Sequence, residues 1–326
     1  MTLLVSDEDV RAGLSMRDCI AAVERAFAAA GRGQLDLLER RVVSAQGGAR
    51  IHSLAAASQE LGYLFSLVYS GTPEGQDKNA TPMSRRQKIF TLFDARTGAC
   101  EAVLGGRYLS WLNTGAMGAV AIDHLSDPGA NSLAIIGSGR QARAAILGAL
   151  EVRPFTDIRV VSRRREHAQR LAAELAGTAA IRVVDRVPEA VEGASVVVTV
   201  TTSPAPVLQG AWLASGAHVN SIGAHYPDRR ELDTATVAGS TVFVDALTTA
   251  RAEKGELLIA EREGAFDFGD VRAELGAVVA GGAGWRRGPD ERTLYASCGS
   301  AIEAFGAAVA ALECMRERGG ADFTFS

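Results

Sequence analysis

The sequence predicts an α/β protein in which a doubly wound parallel sheet fills the second half of the chain and an antiparallel sheet the first. Three observations predict it. Beyond Ser126, apolar runs without polar alternation are separated by helical segments, the pattern of parallel strands buried on both faces. Between Glu39 and Leu104 the runs are shorter, β-rich and divided by turn residues. A glycine-rich turn, Gly137-Ser138-Gly139, joins the first apolar run of the second half to a helical pattern.

In chain order, Ser15 serves as an N-cap with Asp18 three residues on, and Ile20, Val23, Phe27 and Ala30 follow at helical spacing, so the first strong element is an amphipathic helix. Strands are expected at Arg41–Val43, Arg50–Leu54, Tyr63–Tyr69 and Ile89–Phe93, then, after the turn Asp94-Ala95-Arg96-Thr97-Gly98, at Cys100–Leu104. A small-residue helix, Arg107–Leu125, ends at the breaker cluster Ser126-Asp127-Pro128-Gly129. The parallel strands are expected at Leu133–Ile136, Ile158–Val161, Ile181–Val184, Val196–Val200, His218–Ile222 and Val242–Val244. An irregular Gly-rich stretch, Gly264–Gly288, precedes a last helix, Ala301–Arg318, which is expected to return to the first domain. With 326 residues, two domains are expected: 1–125 completed by 301–326, and 126–300.

Composition narrows the function classes. A net charge of −4 with no acidic or basic tail argues against nucleic acid as a partner. No apolar run reaches membrane-spanning length, and Met1–Asp9 lacks the order of a signal peptide. Cys19, Cys100, Cys298 and Cys314 are too scattered for a metal site or disulfide framework, so no metal is expected and a cytoplasmic, reducing setting is.

The motif with the clearest chemistry is Gly137-Ser138-Gly139-Arg140-Gln141-Ala142, between the apolar strand ending at Ile136 and the helix carrying Ala144, Ile146 and Leu150. This is the Rossmann dinucleotide fingerprint with alanine in its third small position: Gly137 permits the tight turn, Gly139 lets a pyrophosphate approach the backbone, and Ala142 allows close helix–sheet packing. The second strand runs into Ser162-Arg163-Arg164, where an NAD site presents an acid to the ribose. A hydroxyl and guanidinium groups suit a 2′-phosphate, which favours NADP(H) over NAD(H); the alternative is a solvated basic start to the next helix.

Four stretches resemble the ornithine cyclodeaminase and mu-crystallin family: Leu92–Gly98, Thr114-Gly115-Ala116, the glycine turn with its Gln141-Ala142, and Ile222–Asp233. The resemblance covers nearly the whole chain. It implies a Rossmann domain plus an α+β substrate and dimerisation domain with an antiparallel sheet, completed by the terminal helix, in a homodimer. It also implies hydride transfer at a carbon bearing nitrogen, on a small amine or imine substrate.

Carried over residue by residue, the resemblance gives Arg41 as a carboxylate anchor, the role a bidentate guanidinium suits, although Arg41 beside Arg40 also reads as surface charge. The family's second arginine is Asn113 here, its lysine has no counterpart on the strand Tyr63–Ser66, and its catalytic aspartate aligns with His225. His225 becomes the candidate catalytic acid–base group, against the alternative of a loop histidine satisfied by backbone. His52 is a second substrate-binding candidate. Around the nicotinamide the resemblance places Thr114, Thr199, Thr201, Ile222, Gly223, Ser297 and Gly299, while Glu231 and Asp233 are expected to act at the start of the next helix. The expectation is an imine reductase or amino-acid dehydrogenase; a cyclodeaminase-like lyase with tightly bound NAD and a non-catalytic NADPH-binding protein are the alternatives.

Overall fold

The structure is a computed structural model describing residues 1–46, 48–71, 87–223, 226–281, 285–286, 288–318 and 321–324. Its elements in chain order begin β1 (Thr2–Val5), α1 (Asp7–Gly13), α2 (Met16–Gly31), β2 (Asp36–Ser44), β3 (Arg50–Ser58), β4 (Tyr63–Gly71), β5 (Lys88–Asp94), β6 (Cys100–Gly105) and α3 (Gly106–Leu125). There follow β7 (Ser132–Ile136), α4 (Arg140–Val152), β8 (Asp157–Val161), α5 (Arg165–Glu174), β9 (Ile181–Val183), α6 (Val187–Val191), β10 (Val196–Thr199) and β11 (His218–Ser221). The remainder is α7 (Thr234–Ala238), β12 (Thr241–Val244), α8 (Leu247–Glu253), α9 (Gly255–Arg262), β13 (Ala273–Glu274), α10 (Leu275–Gly281), β14 (Thr293–Ala296), α11 (Ala301–Arg318) and β15 (Ala321–Phe323). The chain divides into two compact units, Met1–Asn113 with Ser300–Ser326, and Thr114–Gly299.

In the first unit the sheet order is β15-β1-β6-β5-β4-β3-β2. Its pairs are antiparallel except β1 with β6. One face of β3–β5 carries Leu54, Ala56, Phe65, Leu67, Phe90 and Leu92, all buried. Phe65 stacks at 5.4 Å on Phe305 of α11, and full burial of a ring such as Phe305 contributes roughly 2–3 kcal/mol. Helix α2 starts where the capping pattern puts it, with the Ser15 side chain accepting from Asp18 N. Gly306 lets α11 meet α2 closely, since a Cβ there would lie 2.7 Å from the Ala22 carbonyl. The Asp94–Gly98 turn forms as expected: Asp94 Oδ1 accepts from Arg96 N and Thr97 N, and Gly98 takes a φ of 74°.

The second unit holds, among the described residues, an eight-stranded sheet in the order β13-β12-β14-β11-β10-β7-β8-β9, parallel throughout. Every residue of β7, β10, β11 and β14 is buried, as strands covered on both faces require. Strand β14, inserted between β11 and β12, comes from a stretch for which the sequence pattern predicts no element. The Ser126–Gly129 breakers predict a boundary there, whereas the units divide inside α3, after Asn113. The reason lies in packing: the later part of α3 belongs with α4, where Gly148 leaves only 2.5 Å between a would-be Cβ and the Gly115 carbonyl. No described helix is long and apolar enough to cross a membrane.

Candidate dinucleotide and hydride-transfer site

In the parallel sheet the chain proceeds from β7 outward to β8 and β9, then returns to β10 on the other side of β7. This reversal makes a topological switch point, and ligands of such sheets bind outside the carboxyl ends of the strands there. Gly137 sits at that place with a φ of 131° and donates its N–H to Val161 O at 2.9 Å. A Cβ on it would fall 2.6 Å from Val200 O, so neither the backbone angle nor the space admits another residue.

Gly139 differs. It is the N-cap of α4, with an extended φ of −80°, no side-chain cap, and nothing within 4 Å of a would-be Cβ. A side chain at 139 would therefore meet open space beside the positive end of α4, where an anion is stabilised. Ala142 is fully buried at the helix–sheet contact. Gln141 Nε2 donates to Thr114 Oγ1 at 3.2 Å and ties the first turn of α4 to α3, while Arg140 is exposed. The shape and donors fit a pyrophosphate.

Beside the turn, Ser138 Oγ donates to Ser162 Oγ at 2.7 Å, joining the loops that follow β7 and β8. Arg163 and Arg164 are exposed just beyond, whereas Arg165 is engaged with Asp185. No carboxylate follows β8 before α5 begins.

The exits of β10, β11 and β14 are bound together by buried charges. Glu231, fully buried, accepts from Thr201 N, from Gly223 N at 2.7 Å and from Thr199 Oγ1 at 3.0 Å. Its own N–H donates to Glu256 Oε1 at 3.1 Å, and the same oxygen accepts from Ser221 Oγ at 2.9 Å. Lys254, also fully buried, donates to Ser221 O at 2.9 Å and Ser297 O at 2.9 Å, with Glu256 Oε2 at 3.4 Å. Asp245 Oδ2 accepts from Ser297 Oγ at 3.1 Å, Cys298 N at 3.0 Å and Gly299 N at 2.7 Å. Burial, and next the neighbouring Glu256 charge, raise the Glu231 carboxyl above its ordinary range, against the Thr201 hydrogen bond and the Lys254 charge. Burial, then Asp245, raises the Cys298 thiol well above its usual value, so it stays protonated and is no nucleophile.

Thr199, Thr201, Gly223, Ser297 and Gly299 thus lie at the strand exits that these charges fasten, with Ile222 beside them on the β11 exit. Asp233 caps α7, accepting from Thr236 N at 2.8 Å, in keeping with its expected place at the helix start. Glu231 departs from that expectation. It points back to the strand exits because its chain segment runs beside Val207 and Leu208, whose N–H groups donate to Glu231 O. Asp245, Lys254 and Glu256 carry no signal in the sequence: there they resemble solvated charges at turns, and only the convergence of strand ends buries them.

In the first unit, Asn113 is buried on α3 at 7% exposure. Arg41 and His52 do not converge: Arg41 pairs with Ser53 and His52 with Val42, so the two side chains leave opposite faces of the sheet. Arg41 is exposed. His52 stacks on Tyr69 at 4.6 Å, and Lys88 Nζ stands 5.1 Å from the same ring, in one cross-strand row over β3, β4 and β5. His225 lies outside the described residues.

Residues 1–319 match the ornithine cyclodeaminase/mu-crystallin family. The rat ketimine reductase mu-crystallin is 37% identical over 233 residues, which is 71% of this chain and 69% of that protein. Among solved structures, the Thermococcus litoralis Δ1-pyrroline-2-carboxylate reductase in complex with NADH and L-proline superposes with a TM-score of 0.90 at 32% identity, over 99% of this chain and 100% of that one. An archaeal alanine dehydrogenase dimer with bound NAD gives a TM-score of 0.91 at 26% identity, over 100% of this chain and 99% of that one. With the switch-point glycine turn, the open helix N-terminus and a match running through both units, the chain belongs to the ornithine cyclodeaminase/mu-crystallin family.

Proposed function

We propose that the protein transfers hydride between a nicotinamide dinucleotide and the C=N carbon of a small, amino-acid-derived substrate, as an imine reductase or, in reverse, an amino-acid dehydrogenase. The observation that carries this reading is the open cradle at Gly139, in a chain similar over most of its length to a ketimine reductase. Gly137, Ser138, Gly139 and the first turn of α4 hold the pyrophosphate; Ser162, Arg163 and Arg164 hold a 2′-phosphate, so NADP(H) is preferred to NAD(H). When bound, the reduced nicotinamide supplies the hydride. Thr114, Thr201, Ile222, Gly223, Ser297 and Gly299 line its end of the site, and His225 manages the proton at the substrate nitrogen.

The substrate carboxylate is assigned to Arg41, with Lys88 of the opposite sheet face as the competing cation; Arg41→Ala raising KM while Lys88→Ala does not would uphold the first assignment. A homodimer is supported by Leu4, Leu38, Val43, Ile51, Leu64 and Ile89, which the strand register puts on one exposed sheet face. A cytoplasmic setting agrees with four unpaired thiols. The test is NADPH and NADH oxidation against cyclic ketimines and against 2-oxo acids with ammonia or methylamine, with the amino acids assayed in reverse. Turnover that is lost in His225→Ala while NADPH binding persists upholds the reading. Silence on the whole panel, with ammonia released from ornithine, would replace it by the lyase.

A further inference from the structure

We propose that Glu231, held by Lys254 and Glu256, is a positioning residue for the nicotinamide half of the cofactor: it sets the spacing of the strand exits on which that half rests. The inference depends on the dinucleotide cradle of the preceding section and on nothing about the substrate.

Each of the three exits is fastened by a buried charge. Glu231 spans the β10 and β11 exits through Thr201 N and Gly223 N, Lys254 spans the β11 and β14 exits through Ser221 O and Ser297 O, and Asp245 gathers the N–H groups of Cys298 and Gly299. Glu256 links the first two by accepting from Glu231 N and lying 3.4 Å from Lys254 Nζ. The first two exits touch: a Cβ on Gly223 would stand 2.3 Å from Thr201 O and 2.6 Å from the Glu231 carboxylate. Residue 223 must therefore lack a side chain for the clamp to close.

This arrangement is a costly way to stabilise a domain. Buried ionic groups are commonly replaceable by apolar ones at no loss of stability, so their concentration at one end of one sheet points to a geometric task. That end carries the carboxyl termini of β10, β11 and β14, on the side of the switch point opposite the β8 loop with Ser162, Arg163 and Arg164. The adenosine half and the clamp thus occupy different sides of β7, and the clamp acts on one half of the ligand only.

The carboxylate form is specifically needed. Oε1 accepts from Thr201 N while Oε2 accepts from both Gly223 N and Thr199 Oγ1, so no position tolerates a donor. In Glu231→Gln the amide NH2 must face one of these donors, and at least one exit is released.

The experiment compares two ligands on Glu231→Gln and on Thr199→Val, a near-isosteric change that removes one donor to the clamp. NADPH is titrated by its fluorescence and 2′,5′-ADP, which lacks the nicotinamide half, by calorimetry. The expected result is an NADPH Kd raised about tenfold or more in Glu231→Gln and less in Thr199→Val, with the 2′,5′-ADP Kd within about twofold of wild type. Reduction with stereospecifically deuterated NADPH should also lose strict facial selectivity. Equal losses for both ligands would make the network merely structural and overturn the proposal, as would unchanged NADPH binding. If Glu231→Gln does not fold, Thr199→Val decides alone. Failure of wild-type protein to bind 2′,5′-ADP would instead defeat the NADP cradle, a distinguishable outcome.

Discussion

Lowering the pH should destabilise the parallel-sheet unit through a single histidine. His218 is fully buried at the start of β11, with Nδ1 at 2.9 Å from Thr293 Oγ1 and Nε2 at 2.8 Å from Asn220 Oδ1. Burial lowers its pKa from 6.5 to about 4; the Asn220 hydrogen bond opposes that fall and the Arg286 charge adds to it. Above pH 6.5 both folded and unfolded chains hold a neutral ring, and the stability is fully present. Between pH 6.5 and about 4 the unfolded chain takes up a proton that the folded chain refuses, so stability falls as the pH falls. Each pH unit in that interval removes about 1.4 kcal/mol, or about 2 kcal/mol between pH 7.5 and 5 and roughly 3 kcal/mol by pH 4. The assay is urea unfolding at pH 7.5 and pH 5 of wild type and His218→Gln, which keeps a neutral polar group but cannot titrate. The variant should be less stable at pH 7.5 and lose about 2 kcal/mol less on acidification. An identical loss in both proteins would refute the assignment.

Gly139→Ala should fold with wild-type stability, within about 0.5 kcal/mol by urea denaturation, yet bind NADPH poorly, because its methyl enters space that only a ligand uses. Gly137→Ala should instead lose on the order of 2 kcal/mol together with binding, from its φ and the Val200 carbonyl; a stable Gly137→Ala would count against the strained turn. Replacing Arg163 and Arg164 by alanine should raise the NADPH Kd about tenfold or more and the NADH Kd less than twofold or so, measured by fluorescence titration; equal effects would sink the 2′-phosphate assignment. Val43→Glu with Ile89→Lys, both on the exposed apolar sheet face, should yield monomers in light scattering at micromolar concentration, and a dimer unchanged by both would place the interface elsewhere.

The sequence exposes those features whose cause is local. Ser15 caps α2, Asp94 gathers the turn before Gly98, and the apolar runs of β7 and β10 become adjacent strands inside the parallel sheet. Local cues were also available at the N-terminus, where Ser6 and Asp9 form a capping box for α1 next to β1, but strand and helix are too short for periodicity to reveal them. Strand β14 is equally brief, Thr293–Ala296, and its place between β11 and β12 is fixed by long-range pairing. The clamp is the least legible part of the site. Lys254-Gly255-Glu256 reads as a polar turn, and Glu231 as the acid of a helix start, because the partners of each are the ends of strands distant in sequence. The same limit separates Arg41 from His52: the family resemblance offers the first as a ligand and residue type the second, while the one-residue offset in β2–β3 pairing sends them to opposite faces.

The first compact unit is assembled from both ends of the chain, with α11 packed against α2 and β15 against β1, while the second is a continuous segment from Thr114 to Gly299. Synthesis by the ribosome proceeds from the N-terminus, so Thr114–Gly299 can complete its sheet while the earlier residues still wait for Phe305 and its neighbours. During that interval the Leu54, Phe65 and Phe90 face is uncovered. The topology thus leaves the N-terminal sheet without its covering helix until residues 301–318 have been made.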